Sequence, residues 1–170
     1  MKKTVLRYGL YSMLCIFLLT SIHFFLLMNV LSLGQQEVAG YLSIFLAMIF
    51  VFLGIRYFRD EVNGGVLSMG QGLKLGSLIV LFPAIFFGLF DVFYTRVINP
   101  NWRTEYYTQS LEELKRSVPT SQFAARQAEL EKNMALFENP FFEFILMAAT
   151  VFIVGFIVTI ISTVALRRKR

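Results

Sequence analysis

The chain alternates long apolar runs with short polar interruptions. Residues 8–33 carry no formally charged side chain, and a helix of that length, at ~1.5 Å rise per residue, crosses a ~30 Å hydrocarbon core with some tilt. A polar turn, Gly34-Gln35-Gln36-Glu37, separates this run from a second at 38–57. A third covers 72–94, with Lys74 placed to snorkel to the interface. Pro83 lies in its middle and is expected to kink the helix, because it removes a backbone donor and crowds the preceding turn. The fourth run is 140–166. The pattern predicts an all-α membrane protein of four transmembrane helices, folded as a single membrane domain over residues 1–170.

Residues 97–139 follow another rule. Acidic and basic side chains are nearly balanced there, and apolar positions return at helical spacing. Tyr107, Leu111, Leu114 and Val118 form one stripe; Phe123, Leu130, Met134, Phe137 and Phe141, with polar Gln127 among them, form another. Two amphipathic helices broken at Pro119 are expected, folded as a hairpin between the third and fourth spans.

Charge gives the topology a direction. Lys2, Lys3 and Arg7 precede the first span, Arg56, Arg59 and Lys74 surround the second loop, and Arg167, Arg168, Lys169 and Arg170 close the chain, whereas the 34–39 turn has no basic residue. By the positive-inside rule both termini are cytoplasmic and the hairpin is extracytoplasmic. The net charge of +5 therefore reads as membrane flanks; it forms no basic stripe with interleaved aromatics, and no nucleic-acid partner is expected. Nineteen phenylalanines against one tryptophan fit a chain whose apolar surface is covered by lipid.

Candidate chemistry is sparse. A lone cysteine, Cys15, makes no internal disulfide, and a lone histidine, His23, supplies no zinc cluster, so neither metal nor cofactor is expected. Ionisable groups inside a span are costly and default to functional candidates. His23, Asp91 and Glu143, with Arg96 as counter-ion and Asn29 at similar depth, all fall toward the outer side. Two readings stand: a polar pocket under the hairpin that binds a small ligand or relays protons, or interfacial side chains that pair and cap helix ends. No glycine-rich phosphate loop, nucleophile elbow or paired metal-ligand motif accompanies them, so no catalytic residue is assigned. Gly72 and Gly76, with Gly155, Thr159 and Thr163, place small residues at four-residue spacing, which favours close helix packing within the chain or between copies.

The loop Gly54-Ile55-Arg56-Tyr57-Phe58-Arg59-Asp60, then Gly64 and Gly65, then Gly72-Leu73-Lys74-Leu75-Gly76, resembles the signature of the bacterial membrane family known as domain of unknown function 4199. The likeness continues through Asn99-Pro100-Asn101-Trp102, Tyr106, Asn139-Pro140 and the basic tail; Met69 departs from it, where many relatives carry phenylalanine. The resemblance implies four helices and the inner membrane of a Gram-negative cell, with Bacteroidota as the main source. It brings no activity and no catalytic residues. The functional expectation is a non-enzymatic accessory or scaffold protein that contacts membrane lipid and protein partners, or copies of itself, through the hairpin and the Arg56–Asp60 loop. A small transporter or channel using the outer polar cluster is the alternative.

Overall fold

Each apolar run is helical, and the helices begin and end where side chains satisfy the backbone. The computed structural model describes residues 1–27 and 30–168; Asn29, Lys169 and Arg170 lie outside the described residues. Among the described residues six α-helices follow in order: α1 (Lys2–Ile22), α2 (Leu33–Tyr57), α3 (Met69–Phe93), α4 (Trp102–Ser117), α5 (Thr120–Leu136) and α6 (Pro140–Leu166). The first three run on into five-residue π-turns, His23–Leu27, Phe58–Val62 and Tyr94–Ile98. With those extensions, α1, α2, α3 and α6 are, among the described residues, the four helices long and apolar enough to cross a membrane.

Several boundaries differ from the apolar runs. Helix α1 starts at Lys2, well before residue 8, because early lysines and Arg7 fit a helix whose charged heads stay at the surface. Gly34 to Glu37, expected as a turn, is the first turn of α2: the Gln35 side chain accepts the Ser32 N–H at 3.0 Å, so a polar run satisfies the helix start. Helix α3 opens in the same way at Met69. Ser68 N–H donates to Gln71 Oε1 at 3.1 Å and Gln71 N–H to Ser68 Oγ at 3.3 Å, a reciprocal capping box. The helix continues through Pro83.

Helices α2 and α3 share one frame. Both have 25 residues, both open on Ser-x-Gly-Gln (Ser32 to Gln35, Ser68 to Gln71), and both end in a π-turn closed by asparagine. Asn63 N–H reaches the Phe58 carbonyl at 2.9 Å and Asn99 N–H the Tyr94 carbonyl at 2.8 Å. Ser32 to Ser68, Gly40 to Gly76, Leu53 to Leu89 and Asn63 to Asn99 are one constant step along the chain. The two segments form an internal repeat.

Packing divides the chain into two compact units, Met1–Phe87 with Ala148–Arg170, and Gly88–Met147. The second begins inside α3 and is larger than the segment 97–139 that the sequence pattern marks as an insertion.

In the first unit α1 reverses the usual arrangement of a helix in a soluble protein. The buried positions of α1 are Thr4, Gly9, Ser12, Ile16 and Thr20, one face of small and polar residues, while Leu6, Leu10, Leu14 and Leu18 point outward. Two buried hydroxyls of α1 bond to backbone: Ser12 Oγ donates across to Ala47 O of α2 at 2.8 Å and Thr20 Oγ1 to Ile16 O one turn back at 2.6 Å. Water would penalise so large an exposed apolar surface, whereas lipid does not, and close helix approach then depends on small residues. Gly72 lies against Thr163 and Gly76 against Thr159; a Cβ on either glycine would stand 2.4 and 2.3 Å from the threonine methyl. Gly155 meets Val80 and Met48 in the same way. A core of Ile16, Met48, Val51, Ile55, Ile79, Val80 and Val151 fills the interior.

Candidate polar site

The second unit holds a buried carboxylate. Glu143, wholly inaccessible, lies in the first turn of α6. Asn139 and Pro140 set that turn: Asn139 Oδ1 accepts the Phe141 N–H at 2.9 Å, and proline at the first helical position has no N–H to leave unpaired. A carboxylate here sits favourably at the positive end of the helix dipole.

Three side chains converge on it. Thr95 Oγ1 donates to Glu143 Oε1 at 2.7 Å, and the Nη2 groups of Arg96 and Arg103 donate to Oε2 at 3.2 and 3.0 Å. Asp91, one helical turn before Thr95, is also buried, 8% exposed, and lies near Glu143 and Arg103. Arg96 Nη2 also reaches the carbonyls of Phe137 and Glu138 at 3.0 and 2.9 Å, which are orphan acceptors at the end of α5. The group therefore ties the end of α3 and its π-turn to the start of α4, the end of α5 and the start of α6. Gly88 adds a close approach, with a notional Cβ 2.7 Å from the Phe144 carbonyl.

Of the residues marked in the sequence, Asp91, Arg96 and Glu143 stand together. His23 belongs to the other unit; its ring meets Phe24 edge-on, and its buried Nδ1 has no hydrogen-bond partner among the described residues. Thr95 and Arg103 are members that sequence reasoning missed. Thr95 was legible as the residue four after Asp91 on the same helical face, whereas Arg103 reads as one exposed charge among many in an amphipathic segment. Its Nε is buried and has no hydrogen-bond partner among the described residues. Among the described residues no group of three or more His, Cys, Asp or Glu side chains is placed to hold a metal ion.

Helices α4 and α5 meet along the stripes read from the sequence: Tyr107, Leu111, Leu114, Phe123, Gln127, Leu130 and Met134 are half-buried, with exposed neighbours on most sides. Phe141 departs from the pattern and is exposed, because α6 has begun and turned it outward. Glu131 accepts from Gln127 and from the Tyr107 hydroxyl, each at 3.0 Å, and these two bonds hold its carboxyl below the ordinary glutamate range.

The segment Arg56 to Gly65 in the first unit, expected as a loop from Arg56 on, is helical through Val62 and turns only at Asn63 to Gly65. Arg59 grips Asp60 with two bonds of 2.5 and 3.0 Å, and Arg56 lies 3.7 Å from the same carboxylate. Tyr57 packs on Tyr8 and lies under the Arg7 guanidinium, 5.5 Å from the ring centre. Gly64 and Gly65 take φ of +64° and +78°, which side chains with a Cβ disfavour, and Gly65 N–H closes onto the Arg59 carbonyl at 2.8 Å. Leu67 pairs with Arg168 through reciprocal backbone bonds of 3.1 and 3.2 Å, so the loop holds the end of α6.

Four long apolar helices and a surface of outward leucine, isoleucine and phenylalanine define a multi-pass helical membrane protein. The chain belongs to the family described as protein of unknown function DUF4199, whose family model matches residues 7–168. No curated protein and no solved structure matches it.

Proposed function

We propose that the protein is a non-enzymatic accessory or scaffold protein of a bacterial inner membrane, with both termini cytoplasmic and the α4–α5 pair outside. The observation that carries this reading is the engagement of the Glu143 group: both carboxylate oxygens accept from Thr95, Arg96 or Arg103, and Arg96 also serves the end of α5. A carboxylate so engaged positions helices rather than attacking or relaying to a substrate. The charged outer faces of α4 and α5 then offer the surface for a partner. Affinity purification of the full chain in mild detergent, after cross-linking in intact cells, should return a reproducible partner or a second copy through α4 or α5. A strictly monomeric protein with no partner refutes the proposal. Solute or proton flux in proteoliposomes that Asp91→Asn abolishes would replace it with a transporter. Orientation is read with Cys15→Ala as background: Gln109→Cys should react with an impermeant thiol reagent from outside, and Glu61→Cys should not.

A further inference from the structure

A groove of about 580 Å³ opens between the N-terminal ends of α1 and α3, lined by Met1, Lys2, Val5, Leu6, Lys74 and Leu78. Its size falls within the ~300–1,000 Å³ typical of ligand pockets. Its chemistry is layered. Each helix contributes a lysine and, four residues further on, a leucine: Lys2 then Leu6, Lys74 then Leu78. Residues four apart share a face and are separated by ~6 Å along the axis, so on each helix the leucine lines the groove one turn beyond the lysine. Neither lysine has a hydrogen bond or ion pair among the described residues. The two helices carry no acidic residue from Lys2 to Ile22 or from Met69 to Phe87, so nothing on them neutralises the pair.

We infer that this groove holds one anionic phospholipid, its phosphate between Lys2 and Lys74 and an acyl chain along Val5, Leu6 and Leu78. A lysine ammonium is a compact phosphate ligand, and the apolar wall below excludes a purely polar anion from the rest of the space. The inference is independent of the scaffold reading and of which side of the membrane the groove faces. It requires that both helices begin at headgroup level, which their apolar spans provide.

The test is native mass spectrometry of the full chain in mild detergent, stripped of lipid and titrated with phosphatidylglycerol or with phosphatidylcholine of the same acyl chains. Phosphatidylglycerol should bind preferentially at a stoichiometry of one. Lysines near an anionic lipid surface each contribute about fivefold, so Lys2→Gln with Lys74→Gln should lower phosphatidylglycerol binding roughly 25-fold. Lys3→Gln removes an equal charge outside the groove and should leave binding unchanged; Leu78→Trp fills the groove and should block it while helicity by circular dichroism is retained. Equal binding of the two lipids, an equal loss in Lys3→Gln, or displacement of the lipid by inorganic phosphate alone would each overturn the inference.

Discussion

Removing the Glu143 carboxylate should destabilise the second unit in proportion to what it bonds. Truncating one partner of a buried ion pair costs about 3–5 kcal/mol when the other charge stays buried. Here the counter-charges are less confined: the side chains of Arg96 and Arg103 are 34% and 22% exposed, so water can recover part of each. Hydrogen bonds inside membranes also average only about 0.6 kcal/mol, with a maximum near 1.7. Three such bonds and a partial charge penalty place Glu143→Ala at about 2–3 kcal/mol. Glu143→Gln keeps the shape and one acceptor and should cost about 1–2 kcal/mol, with Thr95→Val at about 1. The pair Thr95→Val and Glu143→Gln, being in contact, should be non-additive. Arg96→Gln should exceed Arg103→Gln because it also strips two carbonyls at the end of α5. Trp102, the chain's single tryptophan, neighbours Arg103 and reports directly on this unit, so SDS unfolding in mixed micelles can be followed by its fluorescence. The control is Glu129→Ala, which breaks an ion pair whose side chains are 57% and 58% exposed and should cost under about 1 kcal/mol. If Glu143→Ala and Glu129→Ala unfold within about 0.5 kcal/mol of each other, the buried network does not hold the unit together and the reasoning fails.

Two further outcomes follow from local geometry. Gly76→Ala places a methyl 2.3 Å from the Thr159 methyl and should destabilise by about 1–3 kcal/mol; adding Thr159→Ala, which leaves only a Cβ at 3.0 Å, should restore most of the loss in detergent thermal melts. The contact of α4 and α5 should weaken in acid. Because the folded Glu131 carboxyl lies below its ordinary value, its contribution is present above the unfolded glutamate range and is lost as pH falls through the lowered value, and Tyr107→Phe should move the Glu131 titration upward in carboxyl-resolved NMR.

Apolar length and period carried most of the fold. The four spans and the two amphipathic stripes were legible because both signals are one-dimensional: lipid thickness sets run length, and helix pitch sets spacing. Boundaries were less so, since Gly34 to Glu37 is polar yet helical once Gln35 caps Ser32. The repeat of α2 in α3 was hidden because its shared residues, the capping ones, glycines and a few apolar positions, are diluted among apolar positions that vary freely. For the site, Asp91, Arg96 and Glu143 stood out as charges within apolar runs, but Arg103 lay in a segment where charge is ordinary. What gives Arg103 its partner is three-dimensional and has no signature in spacing.

The helix starts explain why Arg103 and Glu143 meet. Asn99 Oδ1 accepts the Asn101 N–H at 3.2 Å and Asn99 Nδ2 donates to Glu105 at 2.9 Å, so the Asn99-Pro100-Asn101-Trp102 turn places Arg103 in the first turn of α4. Asn139-Pro140 does the same for Glu143 in α6. The helix dipole favours the acid at its N-terminus and opposes the base at the other, by roughly 0.3–1 kcal/mol each. Arg103 is therefore misplaced by helix rules alone, and its 3.0 Å bond to Glu143 offsets that cost. The two asparagine-proline turns that mark the family resemblance thus act at a distance from their own positions: they fix the frames in which one favourable charge and one unfavourable charge must find each other. A Pro100→Ala change should loosen the α4 frame, and its effect should disappear in a Glu143→Gln background if the turn acts through this pair, whereas additive losses would assign the turn to helix α4 alone.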